Sequence, residues 1–388
     1  MSWPMVSFID VCNIQGGTQP PKSTFIEEEK SGYIRLLQIQ DFKRTDKAVF
    51  IPYKKTLKTC NEDDILIGRY GASVGKILTG LAGAYNVALV KTLPDLKRLH
   101  KNYLYHFLCS PNFQNYISNV GSRAAQAGFN KEDLTNLEIP LPPLAEQKRI
   151  VSILNKADAI RRKRQHAIQL ADDFLRAVFL DMFGDPVTNP KGFKKSKLTD
   201  LADVITGFAF KSAEYVQDSD GPVRLCRGVN TLTGYFEWKD TAFWDSKKLK
   251  GLNHYKLESG DVVLAMDRPW ISSGLKVCVF PENERDTYLV QRVARIRPKQ
   301  PGYTDYLYSS ILSPAFEKHC CPTETTVPHI SPIELKNFEI LTPDEGSVKN
   351  YHDVVSKLRQ SKIGMEMSFT EANQIFNSLS QKAFSGKL

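Results

Sequence analysis

The two halves of this 388-residue chain repeat one another, so the chain must solve one folding problem twice. Asp10 and Gly17 recur 190 residues on as Asp200 and Gly207. Gly32-Tyr33-Ile34-Arg35-Leu36 matches Gly221-Pro222-Val223-Arg224-Leu225, and Asp64-Ile65-Leu66-Ile67 matches Asp261-Val262-Val263-Leu264. Ser73-Val74-Gly75 aligns with Ser272-Ser273-Gly274. Tyr103-Leu104-Tyr105 and Ser110-Pro111-Asn112-Phe113 match Tyr306-Leu307-Tyr308 and Ser313-Pro314-Ala315-Phe316. Leu134 to Ile139 matches Leu335 to Ile340, and at the same offset Phe183 meets Phe384. The offsets drift only from 189 to 203, which excludes coincidence and predicts a duplicated unit with pseudo-two-fold symmetry.

Each copy runs into a long helical pattern. Pro140-Leu141-Pro142-Pro143 stops the preceding segment, and Glu146 suits the first turn of a helix. Apolar residues then recur at three-four spacing from Ile150 through Leu154, Ile160, Ile168, Leu175 and Val178 to Phe183, with Gly184-Asp185-Pro186 as the stop. The spacing predicts a helix over 144–183, roughly 60 Å at 1.5 Å per residue. A second pattern covers 347–384, with Gly364 a local weakness. Two rods of near-equal length suggest an antiparallel coiled coil that sets a fixed spacing. The segments 1–141 and 186–343 read as mixed α/β (α+β) domains, and 142–185 and 344–388 as the helices. Strands are expected over 33–39, 65–67, 86–90, 262–264 and 277–280, and a helical patch over 103–117 divided at Pro111.

A net charge of +9 and a pI of about 9.0 favour a polyanionic partner, nucleic acid before membrane. No apolar run approaches the ~18–20 residues that span a bilayer. The seven cysteines form no Cys-x-x-Cys pair, and Met1-Ser2-Trp3-Pro4 resembles no signal peptide, so a reducing cytoplasm is the expectation. Gly71 to Lys76 fails the phosphate-loop pattern by one spacer residue and by Ile77 where Ser or Thr is required. It reads as a tight turn presenting Lys76. His319-Cys320-Cys321 lacks zinc-site spacing. Pro94-Asp95 finds no nearby Asp/Glu-x-Lys, and no Asn/Asp-Pro-Pro-Tyr/Phe methyltransferase signature is present. Neither a catalytic site nor a metal site is expected.

The run Ile139-Pro140-Leu141-Pro142-Pro143-Leu144-Ala145-Glu146-Gln147-Lys148-Arg149-Ile150-Val151 resembles the central region of type I restriction–modification specificity subunits, as does Phe179 to Gly184. The resemblance extends over the whole chain, although Leu341 to Gly346 lacks the double proline and the Glu-Gln pair. It implies two target-recognition domains and two spacer helices in a non-catalytic subunit. Each domain would read one half of an asymmetric, interrupted site on double-stranded DNA. The implied partners are two methyltransferase subunits and restriction subunits. The complex, rather than this subunit, would use S-adenosylmethionine, ATP and Mg. A standalone DNA-cleaving or DNA-modifying enzyme with two recognition domains is the alternative.

Arg and long-chain amides can read base edges, while Lys and Ser mostly hold phosphates. From the matched loops, the first domain offers Arg35, Gln38, Gln40, Arg69, Tyr70, Ser73, Lys76, Arg123, Gln126 and Asn130. The second offers Arg224, Arg227, Asn230, Arg268, Trp270, Ser272, Ser273, Lys276, Thr325 and His329. Leu154, Ile168, Leu175 and Phe179 are expected to serve both the coil seam and the methyltransferase subunits. Arg161-Arg162-Lys163-Arg164 reads as a phosphate clamp, a charged outer face or part of that interface.

Overall fold

The computed structural model describes residues 3–43, 47–121, 128–218, 221–320 and 329–388. The chain divides into two compact units, one of residues 1–166 with 366–388 and one of residues 167–365. Each unit therefore holds one end of each long helix.

In the first unit, strands Cys12–Gly16, Leu89–Pro94, Leu66–Gly68 and Ile77–Leu78 lie in that order in an antiparallel sheet. A second sheet runs Val49–Pro52, Tyr33–Leu37, Gly83–Tyr85, Thr59–Cys60, and its central pair is parallel. The second unit repeats the plan with Ala202–Thr206, Val293–Pro298, Val262–Ala265 and Val277–Val279. Its other sheet has three strands, Ala242–Trp244, Val223–Cys226 and Thr287–Leu289, again with one parallel pair. The sheets are mostly antiparallel and the helices segregate from them, so the class is α+β.

The matched residues do the same work in both copies. A Cβ on Gly17 would lie 2.1 Å from the Asn86 carbonyl oxygen, and one on Gly207 2.3 Å from that of Val290, so only glycine fits either turn. The Tyr103 hydroxyl donates to the Pro140 carbonyl (2.8 Å) and that of Tyr306 to the Leu341 carbonyl (2.7 Å). Phe384 packs edge-on against Tyr103 and Phe107 in the first unit, and Phe183 against Tyr306 and Tyr351 in the second. Within each unit the start of one long helix thus lies beside the end of the other. That is an antiparallel pairing.

The central helix spans Leu144–Phe183, as its apolar spacing predicts. Its start is held by Gln147, which is fully buried: its amide nitrogen donates to the carbonyls of Arg98 and Pro142, and its oxygen accepts from the His100 N–H, all at 2.8 Å. The C-terminal helix spans Glu345–Phe384, two residues earlier than expected. The Asp344 carboxylate accepts from the N–H and hydroxyl of Ser347, capping the helix where the first copy has two prolines. The 33–39 strand ends at Leu37 because Asp41 accepts the Gln38 N–H and turns the chain into a 3-10 segment. The strand expected over 86–90 starts only at Leu89, since Asn86 caps the turn before it. Among the described residues, no helix is long and apolar enough to cross a membrane.

Candidate nucleic-acid interface

In the second unit three separated segments meet at one corner. The Ala265 N–H donates to the Lys276 carbonyl (3.0 Å), closing a hairpin that carries Asp267 to Ser273. The Met266 N–H donates to the Arg292 carbonyl (2.9 Å), and the Ile330 N–H to the Met266 carbonyl (3.0 Å), which brings in Arg292 and His329. Arg227, Gly228, Val229, Asp267, Arg268, Lys276, Arg292 and His329 line a concave pocket of about 590 Å³. Four fixed cations face one carboxylate there, so the pocket attracts anions and hydrogen-bond acceptors.

Its polar groups are tied together. Arg292 Nη1 lies 3.0 Å from His329 Nε2 and 3.5 Å from Asp267 Oδ1, while His329 Nδ1 lies 2.6 Å from the same carboxylate oxygen. A guanidinium only donates, so Nε2 accepts and the ring proton sits on Nδ1, directed at Asp267. Lys276 Nζ donates to the Asp267 carbonyl at 3.1 Å. Burial lowers the pKa of this ammonium, with the Arg268 charge adding to the effect and Asp267 opposing it. Arg268 and Arg292 both adopt left-handed backbone, φ +44° and +67°. Such backbone costs roughly 1–2 kcal/mol per residue for a side chain with a Cβ.

The first unit builds the same corner from other residues. The Gly68 N–H donates to the Lys76 carbonyl (2.8 Å) and the Arg69 N–H to that of Ala88 (2.8 Å). Tyr70 bridges to Gly128 as Asp267 bridges to His329. Arg69 Nε donates to the Phe129 carbonyl (2.9 Å), and its guanidinium lies 5.0 Å from the Tyr70 ring centroid. A Cβ on Gly128 would come within 2.7 Å of that ring. Tyr70 and Lys76 are exposed, and Ser73 is half-buried in the 3-10 turn Gly71–Ser73. The turn presents Lys76, as expected.

Residues 2–170 match the family model described as the type I restriction modification DNA specificity domain. Over those residues the chain is similar to type I restriction–modification specificity proteins. The MjaVIII specificity subunit of Methanocaldococcus jannaschii is 26% identical over 88% of this chain and 82% of its own length. The EcoKI specificity subunit of Escherichia coli K12 is 21% identical over 100% and 89%. The crystal structure of a type I S subunit from M. genitalium superposes with a TM-score of 0.55 at 13% identity, covering 98% of this chain and 96% of that one. A chain from a solved type I R-M system gives 0.54 at 18%, covering 100% and 98%. At these identities the structures establish the shared fold.

The remaining candidates separate by burial. Gln40, Arg268, Ser272 and Ser273 are exposed, and Ser273 shares a hydroxyl contact with Thr233 (3.1 Å). Arg227 is half-buried and donates to Asp240, while Trp270 packs on the core of its unit. Arg35 is half-buried 3.5 Å from Asp41, beside Gln38. Asn130 and Asp133 accept each other's backbone N–H groups, so Asn130 shapes its turn.

Arg224 and Asn230 are corrections. Arg224 is 8% exposed, with its guanidinium bound to Thr287 and Glu284 and stacked 3.6 Å from the Trp238 ring centroid. Asn230 is 1% exposed, with its amide bonded to the Glu237 and Asp240 carbonyls and the Arg227 N–H. Both are internal struts with no edge left for DNA. Arg123, Gln126 and Thr325 lie outside the described residues. Sequence reasoning missed Arg292 and Asp267. The hairpin register aligns Asp267 with Tyr70 and Arg292 with Ala88, unlike residues that residue-by-residue matching passes over.

The helix positions also divide. Leu154 and Phe179 are buried in the cores of the first and second units, so they cannot also meet a partner, contrary to expectation. Ile168 and Leu175 are half-buried. The exposed large apolar side chains of these helices are instead Ile160, Met367 and Ile375 in the first unit, and Leu170, Phe174, Leu180 and Ile363 in the second. Arg161 and Arg162 pair with Asp158, and Arg161 also covers the Phe376 ring; Lys163 and Arg164 are exposed.

Proposed function

We propose that this chain is the DNA sequence-specificity subunit of a type I restriction–modification complex, each unit reading one half of an asymmetric bipartite site. One observation carries the reading: a duplicated scaffold presents the same loop corner twice with different side chains, and the second corner is a cationic pocket. Matching backbone pairings with divergent side chains suit two different half-sites. Lys76 in the first unit, and Arg268 and Ser272 in the second, are exposed and would be free to meet a duplex, with Lys76 suited to phosphate. The chain recognises DNA and leaves the chemistry to partners.

Two methyltransferase subunits would dock along the long helices, where Leu170 and Phe174, four residues apart, and Met367 and Ile375 offer apolar anchors. Restriction subunits would join that complex, which would use S-adenosylmethionine, ATP and Mg. The helices, running through both units, would set the gap between half-sites. The test is direct. Purified chain with Mg²⁺, S-adenosylmethionine and ATP should neither cut nor methylate DNA, and adding the methyltransferase subunits should produce methylation at one interrupted sequence. Cutting or methylation by the chain alone would establish the standalone-enzyme reading instead.

A further inference from the structure

We infer that Arg292 selects a guanine in the half-site read by the second unit, with Asp267 and His329 as positioning residues that aim it; the inference rests on the DNA-reading function proposed above. Arg292 stands in the turn between strands Thr287–Leu289 and Val293–Pro298, with its side chain 61% exposed at the pocket. One amino group, Nη1, is held by His329 Nε2 and by the Asp267 carboxylate. His329 is in turn fixed through Nδ1 on Asp267 at 2.6 Å. A guanidinium is planar, so holding one corner orients the whole group. The opposite edge, Nε and Nη2, makes no hydrogen bond among the described residues.

Two parallel donors on one edge match N7 and O6 of guanine, the two acceptors that it shows in the major groove; adenine shows one acceptor and one donor there. A phosphate is the competing ligand, and the buttress argues against it. The Asp267 carboxylate touching Arg292 offsets part of its charge, which weakens a contact to phosphate more than one to an uncharged base edge. The first unit holds Ala88, Tyr70 and Gly128 at the three corresponding positions, so this selection belongs to the second half-site alone.

The test is selection of the full chain against randomised duplex DNA, followed by sequencing. Wild type should enrich a bipartite sequence with guanine at a position of one half-site. Arg292→Gly keeps the left-handed backbone, so it should retain the unfolding temperature and the other half-site. It should lose the guanine preference at that one position by roughly tenfold or more. Arg292→Lys should not restore the preference, since one ammonium cannot present a two-donor edge. Asp267→Asn should weaken it with Arg292 still present. Full retention of the preference in Arg292→Gly overturns the inference. So does an even loss of affinity with every base preference intact, which would mark a phosphate contact. A wild type that enriches no sequence would overturn the DNA-reading function itself.

Discussion

Gly71 in the first unit and Arg268 in the second stand at the same step of the same hairpin, both in left-handed backbone, at φ +57° and +44°. Around them Tyr70 corresponds to Asp267, Ala88 to Arg292 and Gly128 to His329. The first corner is a tyrosine packed against glycine, and the second is a network of arginine, histidine and aspartate. In the interior the copies agree in kind: Gly17 with Gly207, Tyr103 with Tyr306, Phe384 with Phe183. Inner positions must satisfy the same backbone groups and fill the same space, so both copies keep the same residue types. Corner positions answer to whatever they touch outside, and folding leaves them free to diverge.

The largest expected effect lies in the shared interior. Phe183→Ala and Phe384→Ala each remove a buried ring and should cost about 3–5 kcal/mol. Each should raise amide hydrogen exchange first in the unit that holds the ring: the second for Phe183, the first for Phe384. Equal loss in both units from either change would show that the copies do not unfold separately.

The helix starts break the likeness next. Gln147→Ala leaves the His100 N–H and the Arg98 and Pro142 carbonyls without their partner and should destabilise the first unit by about 1–3 kcal/mol. The residue at the matching offset, Val348, is buried without any such bond. Denaturant unfolding of Gln147→Ala and Val348→Thr compares a polar lock with an apolar one, and an unchanged midpoint for Gln147→Ala would remove the lock.

Division of labour between the corners comes third. Changing Arg69 should alter one half-site and changing Arg268 only the other, each by ~1–3 kcal/mol for a lost base contact. Methylation mapping of the assembled complex reads both halves at once. A single substitution that relaxes both would end the idea of independent reading.

The smallest effect concerns matched carboxylates. Asp261 meets Arg297 in a two-bond fork (2.7 and 2.8 Å), whereas Asp64 meets two point charges, Lys101 at 2.9 Å and Lys91 at 3.1 Å. Burial raises the Asp64 pKa, but the Asn61 N–H and these two ammonium groups outweigh it and hold it down at about 2. Its folded pKa is therefore below the ordinary carboxylate value. The resulting stability, about 1–2 kcal/mol, is present above pH about 4 and lost as pH falls toward about 2. Asp64→Asn should flatten that part of the acid unfolding curve of the first unit. A curve unchanged by the substitution would mean that the lysines contribute nothing there.

The repeat, the bounds of the central helix and the glycine and aromatic positions of the scaffold were legible in sequence, because each is dictated by local periodicity or by identity between copies. So was the turn at Gly71 to Lys76. The fate of the polar candidates was not. Arg224 and Arg268 are equally charged residues of one sequence, yet one is enclosed by Trp238, Thr287 and Glu284 and the other stands in the open. Neighbours 14 to 63 positions away decide which, and spacing along the chain carries no record of them. Likewise Leu154 and Phe179 follow the helical stripe like their neighbours, but only the folded units show them closed inside a core. Asp267, Arg292 and His329 come from three segments whose meeting depends on two backbone hydrogen bonds across strands, and only the tertiary structure makes a pocket of them.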